Sequence, residues 1–127
     1  MNVVDSSCWI EYFNDTAIGG KIAPIAENFP HLVVPTIVLY EVRKKLLLES
    51  EDLYKISEAI RLMQFGKVVV LDTELSVKAT DISRKHKLAT ADSIIYATAK
   101  QYNAVLWTAD SHFDGLPNVR YFDKTQQ

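Results

Sequence analysis

Residues 88–116 read LATADSIIYATAKQYNAVLWTADSHFDGL, and the fold follows from how this stretch divides. Thr90 to Tyr102 is apolar or small almost all round, with Ile94, Ile95, Ala97, Thr98 and Ala99, which predicts a helix packed in the interior with Thr90 as its cap. Ala104-Val105-Leu106-Trp107 is a short continuous apolar run, the pattern of a strand buried on both faces. A helix feeding a buried strand is half of a parallel α/β unit. The tetrapeptide Thr90-Ala91-Asp92-Ser93 returns as Thr108-Ala109-Asp110-Ser111. One recurrence is too few for a repeat architecture. It is either chance or the sign of two similar turns, each presenting an aspartate.

Working outward, the alternation continues. Val3-Val4 is a strand running into Asp5, with Ser6 or Ser7 placed to cap a helix carrying Cys8, Trp9, Ile10, Tyr12 and Phe13. A second helix spans about 16–28, with Pro24 as a possible kink. Leu32-Val33-Val34 forms a second strand closed by Pro35. Thr36 caps a third helix to about Glu49, with Val38, Leu39, Val42, Leu46 and Leu47 inward. A fourth helix covers 51–65 and stops at Gly66. Val68-Val69-Val70-Leu71 reads as a buried strand. Thr73 to His86 is a fifth helix, and 118–122 is a last strand at a sheet edge. The expectation is one α/β domain over residues 1–127, with a central, mostly parallel sheet of four to five strands and helices on both faces.

The chain has 127 residues, a formal charge of −2 and one cysteine. Its length suits a single domain with its own core. A lone cysteine allows no internal disulfide, which fits a reducing, cytoplasmic setting. The start reaches Asp5 with no basic stretch or long apolar run, so no signal peptide is expected. No run approaches a membrane span. The negative charge is unusual for a protein that holds nucleic acid by phosphate neutralisation alone.

Four acids draw attention because ligands of open parallel sheets bind at the carboxyl ends of the strands. Asp5 ends the first strand, and Asp110 lies just past the Val105–Trp107 strand. Asp92 opens the buried helix, and Glu41 sits within the apolar third helix. Taken singly, each has an ordinary explanation as a cap, a first-turn acid or a solvated glutamate. Gathered at one edge, they repel unless protonated or neutralised by cations. Oxygen ligands suit Mg²⁺ or Mn²⁺, and carboxylate-held divalent ions polarise phosphates and activate water. Such ions also supply the positive charge that the chain lacks.

His31, His86 and His112 form no zinc pattern. His31 and His86 read as solvated, and His112 lies nearest the acids. Cys8 falls on an apolar helix face. Arg43-Lys44-Lys45 and Arg84-Lys85-His86-Lys87 are basic stretches. They read mainly as solvated helix faces, and some of them are candidate contacts for a nucleic-acid backbone.

The pattern resembles the PIN-domain ribonucleases and, within them, the VapC-type toxins of prokaryotic toxin–antitoxin pairs. The matching segments are VVDSSCWIEYF (3–13), PTIVLYEV (35–42), residues 88–116 and the final NVRYF (118–122). The resemblance implies that Asp5, Glu41, Asp92 and Asp110 occupy the family's four acidic positions. It places Ser7 and Thr108 at supporting polar positions, with Asp114 a possible further acid. It implies a Mg²⁺- or Mn²⁺-dependent endoribonuclease that cleaves single-stranded or looped RNA by metal-activated water, leaving a 5′-phosphate. Asp5, Asp92 and Asp110 would hold one or two ions, with Glu41 completing the shell. It further implies a homodimer and a small antitoxin partner. Two alternatives stand beside it. One is an inactive PIN-like module that binds RNA or protein. The other is a phosphoacceptor signalling domain, which would need a second acid after Asp5 and a lysine after the Val105–Trp107 strand; neither is present.

Overall fold

Val3 and Val4 point to opposite faces of their strand, and neither exposes any surface, so both faces of the sheet are covered. They belong to β1 (Asn2–Val4), the central strand of five. The computed structural model describes residues 1–126. Its order is β1, α1 (Ser6–Phe13), α2 (Ala17–Ala26), β2 (Leu32–Pro35), α3 (Thr36–Glu49), α4 (Leu53–Met63), β3 (Lys67–Val69), α5 (Thr73–His86), α6 (Thr90–Gln101), β4 (Val105–Thr108) and β5 (Val119–Tyr121). Short 3-10 turns cover Phe29–His31, Ser111–Phe113 and Lys124–Gln126.

The strands lie in the order β3-β2-β1-β4-β5. Every pairing is parallel, with Val3 opposite Val33 on one side and Leu106 on the other. The chain builds outward from β1 through β2 to β3, then returns to β1's other flank for β4 and β5. The reversal falls between β1 and β4, which makes their carboxyl ends the natural crevice of an open α/β sheet. The core is continuous from Val3, Val4, Val33 and Leu106 to Trp9, Ile22, Val38, Val42, Ile95 and Phe113 on the elements around the sheet.

Several local expectations need correction. Asp5, rather than Ser6 or Ser7, caps α1, its side chain accepting from the Cys8 amide. α3 and α6 have no side-chain cap: Pro35 and Ala89 hold the cap positions, and Thr36 and Thr90 are already helical. Pro24 stays inside α2. The amide it removes would have served the Gly20 carbonyl, and both residues are exposed, where water can take that role. The fourth helix begins later than expected because Asp52 caps it. The 68–71 run is not a buried strand. β3 is the sheet edge, and Val68, Val70 and Leu71 are 37%, 64% and 43% exposed. Leu47 also faces outward. His86 is half-buried, edge-on to Tyr96.

Candidate active site

Asp5 sits where β1 turns into α1, and its carboxylate is engaged from three directions. Oδ1 accepts from the Cys8 amide at 3.2 Å and from the Ser7 hydroxyl. Oδ2 accepts from Thr108 Oγ1 at 2.7 Å. Both hydroxyls are used twice. Ser7 Oγ accepts from the Ala109 amide at 2.9 Å, and Thr108 Oγ1 accepts from the Asp110 amide at 2.9 Å. Ser7 and Thr108 therefore stitch the end of β1 to the end of β4 through the buried Asp5 side chain.

Asp110 follows directly. It caps the 3-10 turn Ser111–Phe113, its Oδ1 accepting from the His112 amide at 2.9 Å. Phe113, wholly buried, anchors that turn in the core. Asp92 is the third residue of α6, 16% exposed by side chain. Its geometry differs from that of Asp110, so the repeated tetrapeptide is not a repeat of structure. Both carboxylates nonetheless meet one ring: His112 Nδ1 lies 3.4 Å from Asp92 Oδ2 and 3.3 Å from Asp110 Oδ1. One ligand atom from each of these three residues falls within 4.8 Å of the others. Glu41, half-buried on α3, accepts from Ser6 Oγ at 3.1 Å.

The acids sense one another. Burial pushes the Asp5 carboxyl up to about 6 against the opposing hydrogen bonds of Ser7, Thr108 and Cys8, and the charge of Asp110 adds to the rise. Burial raises Glu41, with Asp92 and Asp110 contributing repulsion. Asp92 is raised by burial and then by Asp110, with His112 opposing. Among the described residues, no lysine or arginine forms an ion pair with any of the four acids. Lys44 offsets part of the rise at Glu41, but a crowded set of oxygen donors with no described lysine or arginine within ion-pair distance fits a hard divalent cation.

Asp114 stands apart. It is exposed at the end of the 3-10 turn and lines a different depression with Trp107, Arg120 and Tyr121. A cleft of about 390 Å³ runs from Ser6, Ser7 and Glu41 past Lys44, Lys45 and Lys124. A smaller one of about 210 Å³ on the other flank holds Asp92 and His112 with His86 and Lys87. Sequence reasoning gave Ser6 no part in the site and His112 only a minor share. The available signal was position: Ser6 follows the first acid, and His112 lies two residues past Asp110, in the turn that Asp110 caps.

Residues 3–118 match the PIN domain family. The chain belongs to the PIN-domain family. This PIN domain is also similar to solved structures over nearly its full length. A toxin–antitoxin complex from Klebsiella pneumoniae gives a TM-score of 0.76 at 20% identity, covering 94% of this chain and 96% of that one. Mycobacterium tuberculosis VapC20, a toxin that cleaves the sarcin–ricin loop, gives 0.71 at 20% identity, with 92% and 95% covered. A DNA-bound VapBC from Salmonella typhimurium gives 0.70 at 15% identity, with 96% and 98% covered. At these identities the likeness is one of fold. No curated protein sequence matches the chain.

Proposed function

We propose that this PIN domain is a divalent-cation-dependent endoribonuclease, the toxin of a type II toxin–antitoxin pair, acting on single-stranded or looped RNA. The observation that carries this reading is the meeting of Asp92 and Asp110 at the β1–β4 crevice, with Asp5 close enough to feel the charge of Asp110 and Glu41 close enough to feel both. Asp5, Asp92 and Asp110 would hold the cation, with Glu41 completing the set. A divalent ion there supplies charge neutralisation, polarisation of a phosphoryl oxygen and a lowered pKa for water, and the donor set favours Mg²⁺ or Mn²⁺.

The side chains have distinct tasks. Ser7 and Thr108 fix the Asp5 carboxylate, so its orientation does not depend on substrate. Glu41, its Oε1 steadied by Ser6, would orient the attacking water, and its raised proton affinity suits it to take that proton. Water attacks phosphorus as its proton passes to Glu41, the bond to the 3′-oxygen breaks and that oxygen takes a proton from solvent, so that the products are a 5′-phosphate and a 3′-hydroxyl. Lys44, Lys45 and Lys124 on one flank and Lys87 on the other can take phosphates on either side of the cut. An extended single strand reaches such a crevice more readily than a duplex does.

The partner reading draws support from the Klebsiella and Salmonella structures, which are toxin–antitoxin assemblies of proteins with this fold. Leu48, Leu53 and Tyr54 are 77%, 61% and 75% exposed on α3 and α4. They give an antitoxin or a second copy apolar surface to cover.

Chelation tests the chemistry. A stem–loop RNA incubated with purified protein should be cut in Mn²⁺, left intact in EDTA and cut again when Mn²⁺ is restored in excess. Undiminished cleavage in EDTA would refute cation dependence.

A further inference from the structure

The four acids account for Asp92 and Asp110 but leave His112 unused. Its ring is 71% exposed, so little apolar burial holds it where it lies. Its backbone is nonetheless fixed. The His112 amide donates to Asp110 Oδ1 at 2.9 Å, the Phe113 amide donates to the Asp110 carbonyl at 3.2 Å, and Phe113 is fully buried. From that fixed turn the ring leans between two carboxylates carried by different elements, almost equidistant from them at 3.3 and 3.4 Å.

A plain surface ion pair is the simplest alternative, and such pairs contribute roughly 0–1 kcal/mol. Two features favour more. The nitrogen turned inward is Nδ1, which without metal donates its proton toward the two carboxylates; with the ring proton on Nε2, where solvent can serve it, the same atom offers its lone pair to a cation held between them. Nδ1 also converges with one oxygen of each aspartate within 4.8 Å, a donor grouping assembled from a helix start and a turn rather than from one exposed segment.

We infer that His112 Nδ1 is a nitrogen ligand to the divalent cation held by Asp92 and Asp110, and that it tunes this site toward Mn²⁺ over Mg²⁺. The inference rests on the cation-dependent reading above and goes beyond it by making the donor set mixed rather than all oxygen. Mg²⁺ prefers oxygen ligands and sheds water reluctantly, whereas an imidazole donor favours first-row transition ions.

The test uses Mn²⁺ itself as probe and does not require turnover. In the Mn²⁺-loaded full chain, electron spin-echo modulation should show a ¹⁴N coupling from a bound imidazole. His112→Ala should remove it and weaken Mn²⁺ binding about tenfold or more, while Mg²⁺ binding changes by less than about threefold. The variant keeps the backbone amide that serves Asp110, and its melting temperature without metal should match the wild type. His86→Ala, in the neighbouring cleft, should leave the ¹⁴N signal in place. Mn²⁺ binding without a ¹⁴N coupling, or a coupling that survives His112→Ala, would overturn the inference and leave the cation-dependent reading standing. Failure of the wild type to bind Mn²⁺ at all would overturn both.

Discussion

Asp5 shows how a single buried carboxylate can be costly to stability. Its folded pKa is about 6 against an ordinary 3.8. Well below its ordinary value, under about pH 3, it is protonated in both the folded and the unfolded chain, so its burial carries no ionisation penalty. As pH rises from about 4 to 6, the unfolded chain releases the proton more readily than the folded one. Stability is therefore lost across that window, by up to about 3 kcal/mol. In metal-free buffer, Asp5→Asn should be more stable than the wild type at pH 8, with the gap closing toward pH 4; paired urea titrations measure it. A gap that does not change with pH would remove Asp5 as the source. At this scale apolar patterning located Asp5 at a strand end and Asp92 at a helix start, while grouping them with Asp110 and the mid-helix Glu41 drew on the family resemblance. The hydroxyl relay through Ser7 and Thr108 and the approach of His112 were not legible, because each depends on how separate segments of the chain come together in space.

At the level of elements, the extent of the helices was read better than their caps. α5 runs from Thr73 to His86, as expected, whereas α1, α3 and α6 have Asp5, Pro35 and Ala89 at their cap positions. β3 departs from its sequence reading because four apolar residues in a row look the same in the centre of a sheet and at its edge. Only the pairing order tells them apart. The packing of α1 against α2 gives a sharper prediction. A Cβ on Gly19 would stand 2.2 Å from the Glu11 carbonyl oxygen, a backbone atom with little room to move. Gly20, its neighbour, faces open space. Gly19→Ala should cost at least about 2–3 kcal/mol or prevent folding. Gly20→Ala should stabilise by about 0.5–1 kcal/mol, since alanine is the better helix former. Thermal melts of the two single variants compare them directly. Equal effects would mean that α1 and α2 do not approach this closely.

Across the whole molecule, an acidic crevice lies between lysine-bearing clefts on a chain of net charge −2. The parallel α/β architecture and the edge position of the last strand were evident from the sequence, but the order β3-β2-β1-β4-β5 was not. That order brings the ends of β1 and β4 together. Among the described residues, no helix is long and apolar enough to cross a membrane. If Lys44 and Lys45 hold RNA phosphates, Lys44→Ala combined with Lys45→Ala should raise KM several-fold with little change in kcat. The salt dependence of binding should also become shallower, its logarithmic slope falling by about 0.7 for each phosphate no longer neutralised. A fall in kcat at unchanged KM would instead place these lysines in the chemical step.

Cleavage of RNA by the carboxylates of the β1–β4 crevice, as proposed above, can be tested at the chemical step. The most direct measurement is single-turnover cleavage of one stem–loop RNA in saturating Mn²⁺ by the wild type, Asp92→Asn and Asp110→Asn, with metal-free melting temperatures recorded for all three. The wild type should give a 5′-phosphate product, both variants should cut at least about a hundredfold more slowly, and their melting temperatures should equal or exceed that of the wild type once mutual repulsion is relieved. Cleavage by either variant at the wild-type rate would contradict the proposal.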